Sequence, residues 1–281
     1  MDADAVPVIA VASGKGGVGK TTVAVNLALA LAAAGVRAGL VDADLYGPDV
    51  PRMLGLRRRQ ESRQLTVFAV KGRPAARLQA VERHGLQLAS AAFLMGERQG
   101  LGVDASIAQL VVRRLIADTD WNRPDCLVVD LPPGTADIQQ FVFALHDHPV
   151  YVLLVVTPQV IAHSDVRRLI ADLRLHAARR GGRAMTIGAV ENFSGLICAH
   201  CGETTPMFPP APPEESIWGE TERIVSVPFS PVAAADADAG RPVMLTKAVP
   251  EQVAAFELLA ARVRERLATP ETAGDGQAEP G

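Results

Sequence analysis

"VPVIAVASGKGGVGKTTVAVNLALALAAAG", residues 6–35, decides how this chain folds. An apolar run leads to Ser13, a glycine-rich turn follows, and a helical stretch runs from Gly19 to about Ala34. Gly14, four residues, then Gly19, Lys20 and Thr21 fill the P-loop pattern, in the strand–loop–helix setting that the pattern requires. Glycines let backbone N–H groups turn inward around phosphates, and the helix N-terminus adds partial positive charge. Lys20 is placed to reach the β- and γ-phosphates, and the Thr21 hydroxyl to ligate Mg2+. The expected ligand is a nucleoside triphosphate with Mg2+, lying along the loop formed by Gly14, Lys15, Gly16, Gly17, Val18, Gly19, Lys20, Thr21 and Thr22.

Further apolar runs alternate with helical patterns. "RAGLVDAD" (37–44), "GLQLASAAF" (85–93), "CLVVDLPPG" (126–134), "PVYVLLVVTP" (149–158), "AMTIGAVENF" (184–193) and "RIVSVPFS" (223–230) read as strands. Helices are expected near 104–119 and over "SDVRRLIADLRLHAARR" (164–180). Strands without polar interruption are buried on both faces, which implies a parallel sheet between helical layers. The fold class is therefore α/β, a single doubly wound, mostly parallel sheet over residues 1–268. "MFPPAPPEE" (207–215) is expected to be an extended surface loop, and the small polar tail 269–281 to be disordered. The apolar stripe of "PEQVAAFELLAARVRERLA" (250–268) suits packing on the sheet, with membrane targeting as the alternative.

A net charge of −3 and a pI near 6.1 give no bulk basicity for nucleic acid or an anionic membrane. The acidic start "MDADAVPVIAVASG" lacks the positive segment of a secretory signal. Three cysteines in 281 residues make no disulfide framework. The expected location is cytoplasmic.

"KGGVGKTT" resembles the deviant Walker A loop of the MinD/ParA/nitrogenase-iron-protein class of dimeric ATPases. The resemblance implies ATP as the nucleotide and a homodimer in which Lys15 reaches across to the partner's nucleotide, much as an arginine finger does. It also implies catalytic roles for Lys20 and for Asp44, which would position the attacking water, with Asp42 nearer the metal. Asp130, ending "CLVVD", is then the Walker B carboxylate acting on Mg2+. Gly134 lies where a backbone N–H could sense the γ-phosphate, and Asn192 could pair with the adenine edge. Cys126, starting that strand, reads as a core residue.

The match narrows with "VDADLYGPDVPRMLG", "LVVDLPPGTADIQ", "VVTPQVIAHSDVRR" and "AVENFSGLICAHCG", which together resemble the Mrp/ApbC family of iron–sulfur cluster carrier ATPases from about Val6 to about Val243. For Cys198 and Cys201, in an expected loop over 193–219, the resemblance implies a labile [4Fe–4S] cluster bridging two subunits, destined for apo iron–sulfur proteins. A four-thiolate site needs four cysteines, and a two-fold dimer supplies the second pair. A zinc clasp, a redox pair or inert thiols are the alternatives for a lone C-x-x-C. His200 between them reads as an exposed loop residue. The chain departs from the family where Ala199 replaces the usual Pro, in "PPAPPEESIWGE", and in "FLMGERQGLGVDASIAQ". Two other functions are weighed: a positioning ATPase acting on DNA or membrane, favoured by the basic run "LRRRQESRQ" (56–64), and a zinc-clasped regulatory ATPase.

Overall fold

Apolar runs with no solvated face must lie between two layers, and in a computed structural model of the chain they do. The structure describes residues 5–56, 77–94, 104–134, 137–180 and 184–269, with the side chains of 176–180 excepted. Strand β1 (Val8–Ala12) passes through the glycine loop into α1 (Lys20–Ala33), followed by β2 (Ala38–Asp42) and the short α2 (Val50–Met53). Next come β3 (Leu78–Gln79), β4 (Val81–Arg83), β5 (Leu86–Ser90), α3 (Ala105–Ala117), β6 (Thr119–Asp120), β7 (Cys126–Asp130) and α4 (Asp137–Phe143). The remainder is β8 (Val150–Val156), α5 (Val160–Arg180), β9 (Met185–Ile197), β10 (Thr204–Thr205), β11 (Arg223–Phe229), α6 (Pro231–Asp238), α7 (Val243–Thr246) and α8 (Pro250–Ala268).

The main sheet runs β10-β9-β8-β1-β7-β2-β5-β4, with β11 also on β9 and β3–β6 forming a separate pair. Only the short β4 and β10 are antiparallel to their neighbours in it; the other pairings are parallel. From β1 the chain goes to one side, to β2, while from β7, beside β1, it goes to the other, to β8. The carboxyl ends of the strands at such a divergence are where open α/β sheets bind ligands.

Alternation along β1 splits the core in two. Ile9 and Val11 join Leu27, Leu31, Phe256 and Val263 of α1 and α8, whereas Val8, Ala10 and Ala12 join Val112, Leu115, Val142 and Val166 of α3, α4 and α5. The stripe of α8 is thus spent on the sheet: Phe256, Leu259 and Val263 are fully buried. Among the described residues, no helix is long and apolar enough to cross a membrane.

The structure also departs from the sequence reading. Helix α5 begins at Val160 rather than near Ser164, because the Gln159 carbonyl already accepts the Ala162 and His163 N–H groups. Strand β9 continues to Ile197, since Thr204 and Thr205 pair with Ile197 and Leu196, so the thiol loop opens at Cys198 rather than at 193. The Pro-rich segment is exposed or half-buried up to Glu215, as expected, and Ala211 N–H ties it to Pro158 O. The basic run from Arg57 onward, residues 95–103 and the tail beyond Thr269 lie outside the described residues.

Candidate functional site

Glycine makes the loop between β1 and α1. Gly17 and Gly19 have φ of 78° and 85°, a left-handed conformation that a side chain disfavours. A Cβ on Gly14 would strike the backbone of Asp165 in α5, and one on Gly19 would strike the Asn192 amide. The Ser13 hydroxyl donates to Lys15 O at 2.7 Å and fixes the turn. Lys20 opens α1 and is only 7% exposed; burial lowers its pKa, partly offset by Asp130 and Asp44 nearby. Thr21 Oγ1 donates to Asp130 Oδ2 at 2.7 Å, and Thr22 O accepts from Asn26 Nδ2 at 2.9 Å.

Strands β2 and β7 are neighbours in register, so their last residues, Asp42 and Asp130, stand side by side. Both are buried. Asp42 Oδ2 accepts the Ser90 hydroxyl at 2.7 Å, and Asp42 Oδ1 accepts Asp44 N–H at 3.4 Å. Burial, then Asp130, pushes the Asp42 carboxyl well above the usual carboxylate range. Burial raises Asp130 to about 7 despite the Thr21 hydrogen bond and the Lys20 charge. Its Oδ1 has no hydrogen-bond partner among the described residues. Two buried carboxylates, one with an unpaired oxygen beside a threonine hydroxyl, are the donor chemistry that a hard divalent cation relieves. Of the two carboxylates the open acceptor belongs to Asp130, whereas both Asp42 oxygens accept a hydrogen bond. Asp44 is half-buried, and its Oδ1 accepts the N–H groups of Tyr46 and Gly47 at 3.1 and 3.2 Å.

Gly134 has φ of 83°, and no atom of the described residues comes within 4 Å of where its Cβ would be. Lys15 is half-buried, with its Nζ 3.4 Å from Gln159 Oε1 and no ion pair among the described residues. Asn192 reaches the phosphate loop itself, where Nδ2 donates to Val18 O at 2.8 Å. One of the two groups expected to meet adenine is therefore engaged by the loop. Three neighbours escaped sequence reasoning: Gln159, Glu191 and Gln139. Fully buried Gln139 donates from Nε2 to Pro132 O at 2.7 Å and Ser13 O at 3.4 Å, tying the segment after Asp130 to the P-loop. An amide on the buried face of α4, with Ile138, Val142 and Phe143, was the available signal. Glu191 is held by Arg223 at 2.9 Å and the Ser226 hydroxyl at 3.0 Å.

The thiol pair closes the β9–β10 hairpin. Cys198 N–H donates to Glu203 O, and Gly202 N–H to Cys198 O, both at 2.9 Å. The backbone N–H groups of Cys201 and His200, with the Cys201 thiol, face the Cys198 sulfur and lower its pKa. Cys198 is half-buried, whereas Cys201 and His200 are exposed. Among the described residues, no group of three or more His, Cys, Asp or Glu side chains could hold a metal. The chain thus presents two thiols together at the tip of the hairpin. Cys126 is a core residue, fully buried and pushed up to about 12 by burial.

The sequence matches the family model described as ParA, NUBPL iron-transfer P-loop NTPase, over residues 5–264. It is 33% identical over 261 residues to the "Iron-sulfur cluster carrier protein" of Escherichia coli (strain K12), covering 92% of this chain and 66% of that protein, just under two thirds of its length. It is 36% identical over 229 residues to the "Cytosolic Fe-S cluster assembly factor NUBP2" of Bos taurus, covering 79% and 76% of the two chains. Among solved structures it resembles the nucleotide-binding protein of Archaeoglobus fulgidus in complex with ADP, with a TM-score of 0.61, 28% identity, and coverage of 83% and 86%.

Proposed function

Because this chain belongs to the family of NUBPL iron-transfer P-loop NTPases, we propose that it is a homodimeric ATPase that holds an iron–sulfur cluster on Cys198 and Cys201 of both subunits and passes it to apo-proteins. The observation that carries this reading is the position of the thiols. They sit at the exposed tip of a hairpin whose strand, β9, also supplies Asn192 to the phosphate loop. Cargo and nucleotide thus share one structural element.

The inward N–H groups of residues 14–21 and the start of α1 would hold the phosphates, with Lys20 neutralising their charge. Thr21 and Asp130 would hold Mg2+, which supplies positive charge against the phosphate oxygens when bound. Asp44, beside Lys20, orients water. Lys15 acts from the opposite subunit, which fits an amine resting on Gln159 rather than on its own carboxylates. Gly134, whose left-handed φ only glycine adopts readily, would offer its N–H to the γ-phosphate. At the hairpin, the N–H groups facing Cys198 favour its thiolate, the form that ligates iron. A [4Fe–4S] cargo bound by two such pairs lies at the dimer surface, open to a recipient's thiols.

Anaerobic iron and sulfide reconstitution tests this. The wild type should take up about four iron and four sulfide per dimer. Cys198→Ala should lose both while binding ATP as before. Zinc without sulfide would instead assign the pair as a dimer clasp. A Cys198→Ala chain with the wild-type iron and sulfide content would refute the reading. The positioning-ATPase alternative loses its membrane element, since the apolar stripe of α8 is buried against the sheet.

A further inference from the structure

From β9, Asn192 holds the nucleotide loop and the Phe193 ring lies beside it. Asn192 Nδ2 holds Val18 O at 2.8 Å. The Phe193 ring lies with its Cζ 3.4 Å from where a Cβ on Gly19 would stand. That ring also meets Phe229 of β11 edge to face, with centroids 5.6 Å apart at 82°. The Phe193 backbone has φ of 56°, in the left-handed region, where a bulky residue is a strained outlier.

The kink has a sequence cause. Val227 faces Asn192 and Phe229 faces Leu196, so Phe193, Ser194 and Gly195 stand opposite Pro228 alone. Proline has no N–H to continue the ladder, and β9 bulges there. On the upstream side β9 is anchored: Glu191 by Arg223 and Ser226, and Asn192 by the loop. Downstream, only a few residues separate the kink from Cys198, and the edge pairing with β10 carries the thiols.

We infer that Phe193 is a positioning residue that transmits the state of the nucleotide loop to the thiol hairpin. Displacement of Gly19 presses on or releases the ring. With Glu191 held to β11 by Arg223 and Ser226, and Asn192 moving with the loop that it holds, the kinked backbone passes that change towards Cys198 and Cys201. The inference rests on the reading that the two sites work together, but it does not need a cluster. It requires two hairpin arrangements with different affinities for nucleotide.

Alkylation of Cys198 and Cys201 in the cluster-free full chain, resolved by mass spectrometry, tests it with and without Mg·ADP or a non-hydrolysable ATP analogue. In the wild type, nucleotide should change the alkylation rate about threefold or more, as a population shift between two arrangements does. Phe193→Gly keeps the left-handed backbone without strain and removes the ring. Phe229→Leu removes only its aromatic partner. Both should still bind nucleotide, with affinity within about threefold of the wild type because coupling is reciprocal, yet show alkylation rates that no longer respond to it. A merely structural role would weaken binding and response together, and that result would overturn the inference. So would a retained response in both variants, or no response in the wild type. If Phe193→Gly does not fold, Phe229→Leu decides the matter. A wild type that takes up no iron and sulfide on reconstitution, yet whose thiols still respond to nucleotide, would sink the carrier reading and leave this one standing.

Discussion

Asp130→Asn should raise the melting temperature of the nucleotide-free protein while cutting Mg2+-dependent ATP hydrolysis. The stabilising half follows from burial. Asp130 lies beside buried Asp42, and its carboxyl is raised to about 7. In the unfolded chain it ionises near 4. The folded state therefore binds more protons than the unfolded state between those values, and stability falls as pH rises through that window, by about 1.4 kcal/mol per unit. Above about 7 the full cost is present, and below 4 it is absent. Asparagine carries no charge and keeps an oxygen for the Thr21 hydroxyl. At pH 8 a net gain of about 2 kcal/mol would raise Tm by roughly 5 °C, given 2–4 °C per kcal/mol for chains of this size. The gain should shrink as pH is lowered from 7 towards 4. Turnover should fall about 10- to 100-fold, the usual effect of losing a group that tunes a bound metal. Calorimetry at several pH values, beside phosphate release, reads both halves. A variant destabilised at pH 8 would count against Asp130 as a carboxylate held at a stability cost for metal binding.

Lys15→Ala should abolish hydrolysis by about 10³-fold, the lower end of what an arginine finger contributes, with nucleotide affinity preserved. Within one chain the Lys15 amine rests 3.4 Å from Gln159 and pairs with none of the described carboxylates. Lys20, in contrast, is buried at the start of α1 near Asp130 and Asp44. The two lysines of one loop are thus set for different tasks. Mixing Lys15→Ala with a chain that cannot bind nucleotide separates action within a subunit from action across the dimer. If Lys15 acts across the interface, the mixed dimer pairs a competent nucleotide site with an intact lysine on the other chain and should recover turnover. Wild-type hydrolysis by Lys15→Ala alone would remove this residue from the mechanism.

Much of this arrangement was legible because it is periodic or local. The uninterrupted runs 8–12, 126–130 and 150–156 could be nothing but strands of a covered sheet, and Asp42 and Asp130 fell at strand ends, where the sequence put them. The contacts between distant segments were not legible. Gln139 reaching Ser13, Gln159 meeting Lys15, and Ser90 capping Asp42 join residues far apart in the chain, and polar side chains carry no pattern that announces such pairings. Phe193 is the sharper case. An aromatic residue in "AVENFSG" favours ordinary strand, yet its φ is left-handed where the ring meets Phe229 and the pairing with β11 shifts register opposite Pro228. Local propensity was overruled by tertiary contacts there.

The sealed position of Cys126 has a practical consequence. Its thiol is fully buried in β7, the strand that ends in Asp130, while Cys198 and Cys201 are accessible at the hairpin tip. A native chain without cargo should therefore give two modifiable sulfurs promptly, and the third only when the centre of the sheet comes apart. Slow labelling at Cys126 is then a clock built into the molecule, each tick one global opening. The same reagent that reports on the tip thus measures how long the folded molecule survives.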